Sequence, residues 1–546
     1  MNINTVIEYL NKTYGYDLSS DYYIHIADWK DWWKGRHKPF HTYIEKDFNG
    51  KSHERDLYTL KMGKKVTEDW ASMLLNEKVL ITVDDPASNA LINGHEDDQD
   101  GVLFENNFAV RGNELVEKSF ATGTGAFVLR LDDMTLKDDV VQKSADTKIH
   151  IEYLTADCIV PLTVKYREVV DVAFVSEVLQ DGKKYVYIET HILENGSYTI
   201  TNAYFKEEEG QLKEESLPEG ILPSFKTGSD IPLFSLVKPN ICNNIDEATA
   251  LGVSIFANAI DNLKGVDLAY NNFNRDFKLG GKKVFVNEDI TKRDEYGNEI
   301  TPDDVAQQLF TVVTDGIPKE NDRTLIHEHN PELRVQENID GIQAQLDFLS
   351  FKCGLGTKYY RFNTSGTLVT ATQYVGDRQD LQRNIAKQHL MLDAALKKLI
   401  RAILYVGREV LGEAVNPDAK ITIDFDDSFI SDKESERTNA MQEVRDGLLQ
   451  KYEYRMRYFG EDEATAKAMV IEDAIATEEN WFSGAITTDP PEVQGKSLNG
   501  AQTQSLIAIM AQYSAGDITE GQAINLINTA IGVTKEEAGK ILRGEL

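Results

Sequence analysis

ATALGVSIFANAIDNLKGVDLAYNNFNRDFKLGG, residues 248–281, decides how the chain is read. Apolar side chains recur at Ala248, Leu251, Ile255, Ala259, Leu263, Val266, Tyr270, Phe273 and Phe277. Every step is three or four residues, the spacing of one helical face. The expectation is one helix of about eight turns, closed by Gly280-Gly281 as a carboxyl cap.

Upstream the pattern differs. AFVLRL (126–131), KIHIEYL (148–154), YVYIETHIL (185–193) and SYTITNAYF (197–205) alternate apolar and polar residues as half-buried strands do. ENGS (194–197) supplies a hairpin turn between the last two. TEDWASMLLNEKVLITV (67–83) has helical spacing in its first half, with Trp70, Met73, Leu74 and Leu75 close on one face. Residues 1–245 therefore read as an α+β domain.

Downstream, KKVFVNEDITKRDEYGNEIT (282–301) reads as a strand and a hairpin. TPDDVAQQLF (301–310) reads as a helix, with Thr301 as cap and Pro302 at the first helical position. Another helix starts near Ile339 and places Ile342, Leu346, Leu349 and Cys353 on one face. GLGTKYYRFNTSGTLVT (354–370) interrupts with glycines and aromatics. A long helix follows, marked by Ile385, His389, Leu392, Leu396, Leu399, Ile403, Val406 and Val410, with bends expected at Gly376 and Gly407. ITIDFDDSFI (421–430) is a strand. Residues 431–460 and 461–480 read as one helix each, the first capped by Ser431. A linker with Pro490-Pro491 leads to a helical tail, and no internal repeat is expected.

The totals narrow the function. Among 546 residues, 58 are basic and 90 acidic, a formal net charge of −32. That argues against wrapping nucleic acid in a cationic groove, which requires lysines and arginines against phosphates. It leaves room for a protein that nucleic acid must pass without sticking. Between Glu413 and Glu479, 18 acidic residues face 8 basic ones, whereas Asp340–Glu413 reverses the balance, 10 basic to 7 acidic. Cys158, Cys242 and Cys353 are too dispersed for a disulfide framework or a zinc motif. The amino terminus shows no signal-peptide pattern. No apolar run reaches the ~18 residues of a membrane span. The expectation is a soluble, cytoplasmic protein with reduced thiols.

Motifs for catalysis are scarce. His37, His41 and Glu45 are spaced four apart like ligands on a helix, but Pro39 between them argues against that helix. His327 and His329 share one side of an expected strand, and two imidazoles alone rarely hold a metal. TGTGA (122–126) lacks the third glycine of a dinucleotide fingerprint, and HEDDQDG (95–101) lacks the closing glutamate of a calcium loop. No phosphate-binding loop or nucleophile elbow occurs. Nothing in these residues supports an enzyme or a cofactor. The alternative kept open is a metal-dependent hydrolase built on His37, His41, His327 and His329.

Taken together, several stretches resemble bacteriophage portal proteins, in the subgroup infecting Gram-positive bacteria. They are YYIHIADWKDWWKGRHKPFH (22–41) with YTLKMGKKVTEDWASMLLNEKV (58–79), then ATGTGAFV (121–128), SGTLVTATQYVGDRQDLQRN (365–384) and ITIDFDDSFISDKESE (421–436). The resemblance covers about residues 20–470, in the family's order. Gln373 departs from it, since relatives often carry an acid there.

The resemblance implies a portal fold that assembles as a ring, typically of twelve subunits, at one capsid vertex. It implies a wing (1–245), a first stem helix (246–279), a clip (280–338) and a second stem helix (339–353). A tunnel loop (354–370), a long bent wing helix with a returning strand (371–430), a crown (431–480) and a linker with a helical tail (481–546) follow. Implied partners are further copies of the chain, double-stranded DNA in the channel, the terminase large subunit, a head-completion adaptor at the clip, and capsid and scaffold proteins. Implied location is the virion, after assembly in the host cytoplasm.

Lys352, Lys358, Tyr359, Tyr360, Arg361 and Phe362 are the candidates to face DNA. The competing reading packs these aromatics between neighbouring loops and pairs Arg361 with an acid. WKDWWKGRHKPFH (29–41), with three of the five tryptophans, falls in the wing. Trp29, Trp32, Trp33, Arg36 and Trp70 are therefore read as packing within the wing or against a neighbour, with Lys34, Arg36 and Lys38 meeting an adjacent acidic surface.

Overall fold

The structure is a computed structural model. It describes residues 2–46, 50–95, 101–132, 134–137, 140–142, 147–180, 182–208, 210–218, 220–287, 295–296, 310–313, 326–361, 379–425, 433–459, 463, 465–470, 506, 509–510, 513, 518–531 and 533–543. Two compact units emerge, residues 1–439 and 440–546.

The first unit is α+β. It begins with helices α1 (Ile3–Tyr14), α2 (Tyr22–Lys34) and the single turn α3 (Lys38–His41), then the hairpin strands β1 (Thr42–Lys46) and β2 (Ser52–Asp56). Helix α4 (Met62–Leu74), strand β3 (Leu80–Val83) and helices α5 (Pro86–Asn93), α6 (Val102–Glu105) and α7 (Phe108–Thr122) follow. Pro39 lies in the first turn of α3, where its missing N–H costs nothing, so a helix forms there after all. It lasts one turn, and Glu45 falls on β1 instead of a third helical turn.

Strands β4 (Gly125–Asp132), β5 (Thr135–Lys137), β6 (Val140–Gln142), β7 (Lys148–Thr155), β8 (Ile159–Lys165), β9 (Glu168–Gln180), β10 (Lys183–Glu194), β11 (Ser197–Glu208), β12 (Gln211–Glu215), β13 (Ser224–Lys226) and β14 (Phe234–Val237) make two sheets. The larger runs β5-β6-β13-β11-β10-β9-β8, with β12 also on β11; the smaller runs β14-β4-β7. Between β10 and β11, Asn195 and Gly196 both take positive φ, the two-residue turn that ENGS predicts. Strand β7 is an edge, and Asn106 covers it. Its side chain donates to the Ile149 carbonyl (3.0 Å) and accepts from the Ile151 N–H (2.7 Å), as a neighbouring strand would.

The long helix predicted from Ala248 is shorter than its sequence stripe. A 3-10 turn at Ala257–Ala259 leads into α8, which spans Ile260–Leu279. Residues 250–256 instead join the core of the first unit. The Gly252 N–H donates to Thr124 Oγ1 (2.9 Å), the Tyr22 hydroxyl to the Gly252 carbonyl (2.8 Å), and the Ile255 N–H to the Phe120 carbonyl (2.9 Å). Gly252 and Gly123 touch so closely that a Cβ on either would come within 2.3 Å of the other's carbonyl oxygen. Leu251, Val253, Ile255 and Phe256 are buried there, so their apolar spacing reflects a core and not a helix.

Beyond α8, β15 (Lys283–Asn287) pairs parallel with β16 (Phe310–Val313) and antiparallel with β17 (Ile326–His329). The expected helix at 301–310 lies outside the described residues, apart from Phe310, which begins β16. Helix α9 (Val335–Lys352) returns, and α10 (Gln379–Val406) is the long helix read from its apolar stripe. At Gly407 it widens into a π-turn (Gly407–Leu411), where a bend is expected; Gly376 lies outside the described residues. Strand β18 (Ile421–Asp424) then pairs antiparallel with β3, joining residues far apart in sequence.

Helix α11 (Lys433–Arg445) is separated from α12 (Lys451–Phe459) by a turn in which Gly447 takes φ +75°, so residues 431–460 are not one helix. Ser431 lies outside the described residues. The second unit ends in α13 (Glu520–Ile531) and α14 (Lys535–Arg543) around a small core of Ile509, Ala523, Ile527, Ala538 and Leu542. Here a repeat does occur. ITEGQAINLI (518–527) and VTKEEAGKIL (533–542) match at a fifteen-residue offset. Thr519 pairs with Gln522, and Thr534 with Glu537, so each helix starts on the same capping box.

Trp70 is fully buried and donates from Nε1 to the Cys353 carbonyl (3.1 Å). Trp70→Ala should lower stability by about 3–5 kcal/mol in denaturant titration. Asp157 is held below the ordinary carboxylate value of 3.8: burial alone would raise it, but hydrogen bonds from Lys30 and Thr155 outweigh that. Because the folded value is depressed, this stabilisation is present above the unfolded value and lost as pH falls through the folded one. Asp157→Asn should therefore melt lower at neutral pH and show a smaller additional drop on acidification, read by thermal melts across pH 2–7.

Candidate functional site

Two helices and the segment after them form the candidate site. Helices α8 and α9 are antiparallel. Gly265 lies against Gln345, where a Cβ would come within 2.5 Å of its Oε1. Farther toward the carboxyl end of α8, Arg334 Nη2 donates to both oxygens of Asp276 (3.0 and 2.9 Å) and Asn338 Nδ2 donates to its Oδ2 (2.8 Å). The hydrogen bonds from Asn338 and Arg334 hold the Asp276 carboxyl below its usual value. Leu263 and Val266 of α8 and Ile342, Leu346 and Leu349 of α9 are buried behind this contact.

The chain leaves α9 under tight control. Gly354, Gly356 and Lys358 all take positive φ, which turns the chain sharply there. Trp70 holds the Cys353 carbonyl, and Asn384 Nδ2 donates to the Gly354 carbonyl (2.8 Å). Gln343 Nε2 donates to the Tyr360 carbonyl (2.6 Å), and the Tyr360 hydroxyl donates to Asp69 Oδ2 of α4 (2.8 Å). Burial first, and the Asp69 carboxylate second, push that hydroxyl far above its ordinary value, so it remains a donor. Burial also raises the Cys353 thiol to about 12, which leaves it a packing group.

This geometry divides the sequence candidates. Tyr359 and Tyr360 pack edge to face (4.9 Å) against the core of the first unit, so Tyr360 is an anchor of the segment and does not present its ring outward. Lys352, Lys358 and Arg361 are exposed and take no carboxylate partner among the described residues. Phe362 lies outside the described residues. The anchoring residues Asp69, Gln343 and Asn384 were missed by sequence reasoning, since single polar residues on helices carry no local signal.

The tryptophan stretch makes extensive contacts within its own chain. Trp29 and Trp32 are buried, and Trp33 donates to Glu117 (2.8 Å). Arg36 pairs with Asp56, Lys34 with Asp31 (3.9 Å) and Lys30 with Asp157 (2.6 Å), all carboxylates of their own chain. The histidines do not converge. His37 Nε2 meets Asp28 (2.8 Å), His41 Nε2 meets Asp267 (2.9 Å), and Glu45 meets Arg55 (3.2 Å). His327 and His329 stand in β17, beside β15. Among the described residues, no group of three or more His, Cys, Asp or Glu is placed to hold a metal. No described helix is long and apolar enough to cross a membrane.

Tyr360→Phe keeps the ring and removes one hydrogen bond to a charged group, a loss of about 1.5–3 kcal/mol. Faster amide exchange confined to residues 353–361, with little change in α1, is the expected reading.

A family model described as "Phage portal protein, SPP1 Gp6-like" matches residues 17–480. No curated protein matches the chain. With most of its length inside that match, the chain belongs to the SPP1 Gp6-like phage portal proteins.

Proposed function

We propose that copies of this chain form the ring, typically of twelve, through which double-stranded DNA enters and later leaves a phage head. Helices α8 and α9 form the channel wall. The β15–β17 region is the clip that receives the terminase large subunit and then a head-completion adaptor, and residues 354–370 are the tunnel loop. The observation that carries this reading is the loop root. It is pinned by Trp70, Asp69 and Asn384 of the wing and by Gln343 of α9, while Lys352, Lys358 and Arg361 stay exposed beside it.

A translocating duplex needs that division. Each phosphate–cation contact adds affinity that the motor must break at the next step. An acidic wall keeps the duplex off the surface, and a few cations at the narrowest level guide it without trapping it. The ring needs no catalytic group, because the work comes from the motor. The hydrolase alternative loses its support, since His37 and His41 are each engaged by a different carboxylate.

Negative-stain images of the purified protein should show rings of twelve or thirteen subunits with a central hole; a stable monomer at high concentration would overturn the reading. In a packaging assay with assembled procapsids, Lys358→Ala and Arg361→Ala should change the rate and weaken its salt dependence. Unchanged packaging in both would remove these cations from the channel.

A further inference from the structure

Helix α8 meets the wing through buried apolar side chains, which attract without direction, and through one buried carboxylate, which does not. Asp267, in the middle of α8, is 4% exposed. Its Oδ2 accepts from His41 Nε2 (2.9 Å) and Thr59 Oγ1 (2.9 Å), and its Oδ1 from the Leu60 N–H (2.8 Å). One turn on, Asn271 Oδ1 accepts the Tyr58 N–H (3.2 Å). All these donors belong to residues 41–60, the two roots of the β1–β2 hairpin, and His41 is itself wedged beside the buried Trp32 ring (5.1 Å).

We propose that Asp267 is a positioning residue that fixes the rotation of α8 about its own axis, and so decides which of its side chains meet the DNA. The proposal rests on the reading of α8 as channel wall. Successive residues are ~100° apart around a helix, so a small rotation exchanges what the wall presents. In the present setting Leu268 is exposed and Val266 is fully buried. Apolar packing alone tolerates such a rotation, because it is proportional to area and not to direction. Three charge-assisted hydrogen bonds to one carboxylate do not.

The test reads rotation directly. In a Cys242→Ser background, which removes the exposed native thiol, Leu268→Cys should react quickly with a maleimide and Val266→Cys slowly. Adding Asp267→Ala should reduce the ratio of the two rates about tenfold, equivalent to ~1.4 kcal/mol. Thr59→Val should reduce it less. His41→Leu should reduce it, and His41→Gln, which keeps a donor, should restore it. If Asp267→Ala does not fold, the Thr59 and His41 variants decide the matter. Rings that assemble in normal yield but package DNA poorly complete the expected pattern. An unchanged labelling ratio in Asp267→Ala, or in both milder variants, overturns the proposal. Absence of rings in the parent protein would instead overturn the channel reading and leave the labelling result standing.

Discussion

The Asp267 carboxylate is the contact on which the placement of the helix pair depends. Taking a carboxylate out of water costs several kcal/mol unless donors replace the lost hydration. Here the replacement comes from His41, Thr59 and the Leu60 N–H, all in one segment. That segment is held by the aromatic packing of Trp32 with His37, Phe40 and His41. The composition of WKDWWKGRHKPFH follows from this chain of support. Its rings build the floor under His41, and its cations neutralise carboxylates of the same chain. Within one chain, this basic, aromatic stretch acts as a joint.

Much of the fold was legible because its signals are local. Alternation marked β10 and β11, Asn195-Gly196 marked their turn, and the apolar stripe marked α10 through to its π-turn at Gly407. The failures share one cause, which is partners distant in sequence. Residues 250–256 carry helical spacing, yet Thr124 and Phe120 claim their backbone hydrogen bonds, and the contact of Gly252 with Gly123 requires bare backbone on both sides. Pro39 breaks a helix only beyond its first turn; His37 is the N-cap here, which puts Pro39 inside that turn, a placement that residue spacing does not express. The repeat in α13 and α14 is carried by only a few small and capping residues, too sparse to stand out from composition.

The candidate site is legible in the sequence only in outline. KYYRF gathers cations and aromatics, and from sequence both classes are equally good ligands for DNA. The structure separates them by burial: Tyr360 hydrogen-bonds Asp69 across some 290 residues of sequence, whereas Lys358 and Arg361 stay in solvent. Sequence spacing has no way to express that difference, because Asp69 looks like any surface acid of α4.

The separation has a mechanical sense on the proposed reading. A loop that touches a moving duplex is pulled along with it, and the pull must be resisted at its root. A tyrosine used as an anchor cannot also stack on a base, and it is better spent on the anchor, since stacking would hold the duplex in place. Cations suit the moving contact because their attraction is undirected and screened within about 8 Å at physiological salt. Repeated at one height around a ring, they let each phosphate pass from one subunit to the next, so that contacts are exchanged and the net barrier to sliding stays small.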